Sequence, residues 1–189
     1  MRRLLPPVLL SLVTFAVNAA ESGIELAVTI KAPVAKVWQA WTTSEGISSF
    51  FAPEAHVEAK PDGPFEVYMD PYGEPGLKGA DTMKVLAVEP EKLLSFTWNA
   101  PPHLPAARAQ RTVVILRFAP EGQDTRLSLS HVGWGSDGEW PKARAYFEKA
   151  WPNVLKNLQT RFETGKPQDW TQWREQLKQW HASEAAKKS

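Results

Sequence analysis

The stretch TVVILRFAPEGQDTRLSLSH, residues 112–131, decides the fold class of this chain. Large apolar side chains occupy every second position before and after a turn that contains Gly122. This alternation is typical of antiparallel β-strands that bury one face. The residues predicted to face inward are Val114, Leu116, Phe118, Leu127, Leu129 and His131.

The same period of two recurs upstream, in segments that are separated by Gly, Pro, Asn and Asp turns. We predict strands near residues 24–32, 55–60, 65–69, 83–87 and 94–98, which join residues 112–131 in an antiparallel meander. The alternation places these side chains inward: Phe65, Val67, Met69, Met83, Val85, Ala87, Leu94, Phe96 and Trp98.

The period then changes to that of a helix. Apolar residues at spacings of three and four predict a long helix that begins with a capping box of Ser136 and Glu139 and ends at Gly165. Pro152 lies inside it, and we expect this proline to kink the helix or to break it in two. The buried face is predicted to contain Trp140, Ala143, Phe147, Trp151, Val154, Leu158 and Phe162.

Shorter helices flank this pattern at both ends. Pro33 is expected to open a first helix, and Thr42 with Glu45 a second short one. A last helix at about 168–183 has one apolar face, and its own domain is the expected docking surface, with a homodimer or the membrane interface as alternatives. The residues of that face are Trp170, Trp173, Leu177 and Trp180.

This order of elements predicts an α+β fold of the helix-grip type. A strongly curved antiparallel sheet cannot bury its inner face on itself, and the long C-terminal helix has the apolar stripe that is needed to cover it. Such a sheet and helix tend to leave a cavity between them.

The composition of the 189 residues excludes several classes of protein. There is no cysteine, so disulfides, thiolate nucleophiles and Cys-ligated metal sites are excluded. The chain has 22 Lys and Arg against 21 Asp and Glu. This balance gives no positive electrostatic field that would favour binding to nucleic acid. The four His have no metal-ligand spacing, and we predict neither a metal nor a cofactor. Nine Trp indicate a large aromatic core, an aromatic pocket, or both.

Residues 1–19 have the features of a cleaved signal peptide. Arg2 and Arg3 precede an apolar stretch, and small residues end at Ala19, where we expect cleavage. We therefore expect a periplasmic or secreted protein, with an uncleaved anchor as the alternative, and no integral membrane segment after cleavage. The rest of the chain is expected to divide into a domain at 22–165 and a C-terminal helical extension at 166–189.

Five stretches of sequence resemble the START-like SRPBCC superfamily, in the branch named for the activator of heat-shock-protein-90 ATPase homologue. The resemblance covers about residues 24–164. The stretches are IKAPVAKVW at 30–38, DGPFEVYM at 62–69, VEPEKLLSFTW at 88–98, LSLSH at 127–131 and WPNVLKNL at 151–158.

The resemblance implies a helix-grip fold with a deep apolar cavity, because members of the superfamily bind lipids, sterols, polyketides and other aromatic compounds. It also implies a cytosolic co-chaperone activity, which we do not carry over, because an exported protein has no access to that chaperone. Two departures from the family pattern are the predicted signal peptide and the Trp-rich extension after Gly165.

The side chains that we predict to line this cavity lie on the inner faces of the strands and helices. His131 stands out among them as a polar group, which either orients a ligand or is a buried histidine satisfied by hydrogen bonds. The full set is Trp38, Trp41, Phe51, Phe65, Val67, Met83, Phe96, Trp98, Val114, Leu116, Leu129, His131, Phe147, Trp151 and Leu155.

One motif match is rejected. Residues 133–138 read GWGSDG, which fits G-x-G-x-x-G after a strand and before a helix. A dinucleotide site also needs a second parallel strand after that helix, whereas another helix is predicted there. We interpret the motif as a turn and a helix start.

The sequence favours an exported protein that binds a hydrophobic small molecule or a lipid-like ligand. One alternative is an enzyme of the cyclase or hydratase type that acts on such a compound, with His131 as acid or base. Another is a protein-interaction module that uses the outer sheet face or the final helix, including a homodimer through that helix.

Overall fold

The computed structural model describes residues 23–188, so the predicted signal peptide lies outside the described residues. The chain forms an α+β fold of the helix-grip type, in which a long helix covers the inner face of an antiparallel sheet. The strands are β1 Ile24–Ile30, β2 Glu54–Val57, β3 Phe65–Tyr68, β4 Gly79–Ala80, β5 Val85–Glu89, β6 Leu93–Trp98, β7 Thr112–Glu121 and β8 Asp124–Val132. The helices are α1 Val34–Thr42, α2 Ser44–Ser48, α3 Pro105–Arg108, α4 Trp140–Thr164 and α5 Thr171–Lys188.

The strands form two antiparallel sheets that meet at one edge. The larger sheet has the order β1-β8-β7-β6-β5, and the smaller one has the order β2-β3-β4. Phe65 donates its backbone N–H to the Met83 carbonyl, and Val85 donates to the Gly63 carbonyl, each at 2.9 Å. These bonds continue the curved surface from one sheet to the other.

The predicted alternation is confirmed on most strands. On β7 and β8 the side chains of Val114, Leu116, Leu127 and Leu129 are fully buried, while Arg117 between them is exposed. On β5 the alternation is lost after Val85, because a register shift lies between Val85 and Ala87. Ala87 is therefore exposed, and the prediction that it faces inward is wrong.

The core between sheet and helices is aromatic. Phe65 stacks on Phe96 with ring centroids 3.7 Å apart, and Trp98 lies between Phe51 and Trp151 at 5.8 and 5.5 Å. On α4 the buried residues Phe147, Trp151, Leu155 and Leu158 follow the predicted helical spacing. Close packing of large side chains accounts for most of the apolar interior.

Several local predictions about helix ends are wrong. Of the two effects expected of Pro152, the break is absent, because α4 is continuous from Trp140 to Thr164. Glu139 precedes α4, but its carboxylate accepts a hydrogen bond from the Ala107 N–H of α3 and none from the start of α4. Helix α2 is capped by Thr43, whose hydroxyl accepts from the Gly46 N–H, one residue after the predicted cap.

The glycines of the GWGSDG segment have conformational and packing roles. Gly133 and Gly138 have positive φ angles of 88° and 58°, which glycine adopts without strain. A Cβ atom at Gly135 would collide with the indole of Trp140. Within residues 23–188, α4 leads into α5 with no strand between them. The structural interpretation of this motif is therefore supported.

Helix α5 packs on its own domain, although its apolar stripe is only partly buried. The indole N–H groups of Trp170 and Trp173 donate to the backbone carbonyls of Ser48 and Met69, at 2.7 and 2.8 Å. Arg174 pairs with Glu54 at 2.8 Å. Trp173 and Trp180 remain 45% and 53% exposed, so polar contacts carry much of the docking.

Candidate functional site

A cavity of about 490 Å³ lies beside the core, between α5, α4 and the loop that links β3 to β4. Its apolar wall comes from Trp98 at the end of β6, from Phe147 on α4, and from Pro101 and Pro102. Trp180, His181 and Glu184 of α5 form another wall. The extension at 166–189 therefore takes part in the site.

The rim of this cavity carries exposed aromatic and aliphatic side chains. Leu77 is 49% exposed, Tyr146 is 44% exposed and Trp180 is 53% exposed. Partial burial raises the pKa of Tyr146, so its phenol stays neutral at physiological pH. Apolar side chains grouped around an opening are typical of a site that admits a hydrophobic molecule.

The loop over the cavity is held by an ion pair that is mostly buried. Arg108 donates to the carbonyls of Ala100, Gly76 and Gly79 at 2.6–2.7 Å and lies 3.3 Å from the Asp81 carboxylate. Asp81 also accepts from the N–H groups of Gly76 and Gly79. Burial lowers the pKa of Arg108, and the Asp81 charge opposes that shift. The guanidinium is thus a structural clamp that is already neutralised.

A hydrogen bond fixes α5 against the same loop. His181 Nε2 lies 2.7 Å from Asp70 Oδ2, and its ring meets Tyr72 at a centroid distance of 6.5 Å. Lys178 lies over the Tyr72 ring at 5.8 Å. These contacts hold the α5 wall of the cavity in place.

His131 is buried beneath the cavity wall and fully hydrogen-bonded. Its Nδ1 accepts from the Trp151 indole N–H at 2.9 Å, which places the ring proton on Nε2. Nε2–H then donates to the Thr112 hydroxyl at 2.7 Å, and that hydroxyl donates to the Trp98 carbonyl at 3.3 Å. Burial lowers the pKa of His131 to about 3, so the ring is neutral at physiological pH.

The structure brings the predicted cavity residues together, but mainly as a packed core. Trp98 and Phe147 line the cavity, and the other residues of the predicted set lie outside its wall. Most of those are fully or nearly fully buried; only Trp38 is partly exposed. A ligand-binding role for these core residues stays a prediction.

Sequence reasoning missed most of the cavity wall. Leu77, Asn99, Tyr146 and His181 line it, and none of them stood out by spacing or motif. Arg108 also lines the cavity, as the largely buried clamp described above. Two signals pointed here: the strand and helix patterns that placed Trp98 and Phe147 inward, and the Trp-rich stripe of the extension, which contains Trp180.

Two other kinds of site are absent from the described part of the chain. Among residues 23–188, no three His, Asp or Glu side chains are grouped so that they could hold a metal ion. No helix in the same range is long and apolar enough to cross a membrane.

The family model described as activator of Hsp90 ATPase homolog 1-like protein matches residues 31–163. The chain belongs to this family. Family membership agrees with the resemblance found in the sequence, and the observed helix-grip architecture agrees with its fold. The matched range ends before α5, so this helix is an addition to the part that the family model describes.

Solved structures similar to this family member share its fold at low sequence identity. Protein MLL2253 from Mesorhizobium loti is 26% identical, with a TM-score of 0.60, over 75% of this chain and 98% of that chain. CalU16 from Micromonospora echinospora is 24% identical, with a TM-score of 0.57, over 89% and 92%. The Aha1 dimer from Colwellia psychrerythraea is 20% identical, with a TM-score of 0.60, over 76% and 98%. Among curated proteins, none matches this family member significantly.

Proposed function

We propose that this protein binds a hydrophobic small molecule in the cavity beneath α5 and acts outside the cytoplasm. The observation that carries the proposal is the cavity of about 490 Å³, which Trp98, Phe147 and Trp180 line together. Its volume lies in the range of small-molecule sites, which are mainly apolar with a few polar groups. The helix-grip fold of the family is compatible with such binding.

The affinity expected for such a ligand is modest. A compound with about 15 non-hydrogen atoms, each contributing about 0.4 kcal/mol, binds with a dissociation constant of tens of micromolar. Trp98 and Trp180 lie in the wall, so binding should change the tryptophan fluorescence. Native mass spectrometry before and after lipid extraction would identify a ligand that copurifies.

A matched pair of leucines tests the location of the site. Leu77 lines the cavity and is 49% exposed, while Leu86 on β5 is outside the cavity wall and 45% exposed. Leu77→Arg should weaken binding of a naphthalene probe, because it places a charge at the apolar opening. Leu86→Arg should leave it unchanged. Equal affinities in both variants would place the binding elsewhere.

Catalysis by His131 is not part of this proposal. Both ring nitrogens are engaged within the protein, by Trp151 and by Thr112, and the ring is outside the cavity wall. His131→Gln tests the point, because an acid–base role would show as lost turnover with unchanged ligand affinity.

The export component rests on the sequence of residues 1–19. Its test is independent of the cavity: N-terminal sequencing of the native protein should find a chain that begins at Ala20 or Glu21. A native chain that retains Met1 would overturn the export component and leave the binding proposal standing.

A second candidate function is self-association through α5. It is favoured by Trp173 and Trp180, which are 45% and 53% exposed on the same helix. Sedimentation velocity of the wild type and of a Trp173→Gln variant would test it. A concentration-dependent dimer that the variant abolishes would support this function.

A further inference from the structure

Asn99 is a polar residue of the cavity wall whose side chain has no hydrogen-bond partner among residues 23–188. It directly follows β6, where the β6–β7 ladder ends with the pair of Trp98 and Thr112. The residue is only 6% exposed, and it lines the cavity. Its side-chain amide makes no hydrogen bond to any of residues 23–188, and neither polar atom is sealed off in the interior.

A largely buried asparagine whose amide has no partner within the protein is uncommon. Buried side-chain polar groups are nearly always hydrogen-bonded, either to the protein or to ordered water. Asn99 opens both into the main cavity and into a smaller one of about 310 Å³, together with Leu77, Pro102 and Arg108. The amide therefore stands at the junction of the two spaces, where a ligand atom can reach it.

Three charged pairs lie around this junction: Arg108 with Asp81, Asp70 with His181, and Glu184 with Lys187. Glu74 and Lys78 of the main cavity and Arg111 of the smaller one form no ion pair with any of residues 23–188. The preference for a neutral ligand therefore rests on the Asn99 amide itself. The Asn99 amide offers two N–H donors and one carbonyl acceptor, which suits a neutral group that both accepts and donates.

We propose that Asn99 recognises a carboxamide on a neutral aromatic ligand, with the aromatic body between Trp98 and Phe147. The ligand carbonyl accepts from the Asn99 N–H, and the ligand N–H donates to the Asn99 carbonyl. This inference rests on the proposed function, because it names the ligand class of the same cavity. It adds a specificity-determining residue that the predicted cavity set does not contain.

The experiment compares three probes of similar size by isothermal titration calorimetry. The first, 2-naphthamide, carries a neutral carboxamide. The second, 2-naphthoate, carries a negatively charged carboxylate, and the third, 2-ethylnaphthalene, has no polar group. Each is titrated into the wild type, into Asn99→Leu, which keeps the side-chain volume, and into Asn153→Leu, a control at an exposed position of α4. Circular dichroism verifies that the variants are folded.

The wild type should bind 2-naphthamide more tightly than either other probe. Asn99→Leu should weaken 2-naphthamide about tenfold, since two hydrogen bonds are lost and the ligand amide becomes unpaired. It should leave 2-ethylnaphthalene within about twofold, and Asn153→Leu should alter neither affinity. If Asn99→Leu does not fold, Asn99→Asp is used, which keeps the shape and removes the donors.

The outcomes separate the two proposals. If the wild type binds all three probes equally and Asn99→Leu has no selective effect, the Asn99 inference is overturned while hydrophobic binding stands. If the wild type binds 2-naphthoate more tightly than 2-naphthamide, the preference for a neutral group is overturned. If no probe binds to the wild type, the proposed function itself is overturned.

Discussion

The buried His131 should make this protein sensitive to mild acid. Its pKa is lowered to about 3 by burial, whereas a histidine in the unfolded chain titrates near 6.5. Between these values the unfolded state binds a proton that the folded state does not bind. The free energy of unfolding therefore rises with pH through this window and falls on acidification. One pKa unit corresponds to about 1.4 kcal/mol, so at pH 5 this residue alone costs about 2 kcal/mol.

The measurement is urea unfolding, followed by circular dichroism, at pH 7.5 and at pH 5. The wild type should lose stability between the two pH values, and His131→Gln should lose about 2 kcal/mol less over the same interval. The variant should be less stable at pH 7.5, because the Trp151 and Thr112 partners are imperfectly matched. His103→Gln, in an exposed loop, is the control and should keep the wild-type pH difference.

The reasoning would be refuted if His131→Gln and the wild type showed the same loss between pH 7.5 and pH 5. That result would mean that His131 accepts a proton in the folded state near its ordinary pKa. It would also mean that the hydrogen bond from the Trp151 N–H to His131 Nδ1 is lost at pH 5, because a doubly protonated ring cannot accept it.

Three further predictions concern stability. Trp151→Phe should destabilise the protein by about 1–2 kcal/mol more than Trp41→Phe, because of these two indole N–H groups only that of Trp151 has a hydrogen-bond partner. Equal losses of unfolding free energy in denaturant titrations would argue against the hydrogen bond from Trp151 to His131. Phe65→Ala should cost about 3–5 kcal/mol in the same assay, because the side chain is fully buried and stacked on another ring; a loss below about 1 kcal/mol would contradict this packing. Truncation after Gly165 should lower the melting temperature and weaken naphthalene-probe binding together, because α5 both docks on the domain and walls the cavity; unchanged values would show that the helix does neither in solution.

The fold was predictable from local patterns. Strands β6, β7 and β8 alternate because one face is buried, and α4 repeats at three to four residues because one side of it covers that face. Where backbone geometry interrupts a pattern, prediction failed. The register shift between Val85 and Ala87 changes which residues of β5 face inward. No feature of the amino-acid sequence predicts this shift.

The position of Pro152 is a similar case. A proline removes one backbone hydrogen-bond donor, and its ring clashes with the preceding turn. In an isolated helix, these two effects favour a kink or a break. In α4 the buried neighbours Trp151 and Leu155 hold the helix against the sheet on either side of it. Tertiary packing of α4 therefore outweighs the local free-energy cost of a proline inside the helix.

The candidate site divides in the same way. The sequence by itself determined the residue types of the interior: an apolar inner face with His131 as its polar member. Only the tertiary structure decided that this set packs against itself and that the open space lies at the end of β6, under α5. Whether aromatic side chains fill a volume or enclose it depends on how far apart the elements stand, and that separation arises from packing across the whole fold. Asn99 was invisible for the same reason, because an asparagine after a strand is ordinary in sequence and becomes informative only when its partners are counted in three dimensions.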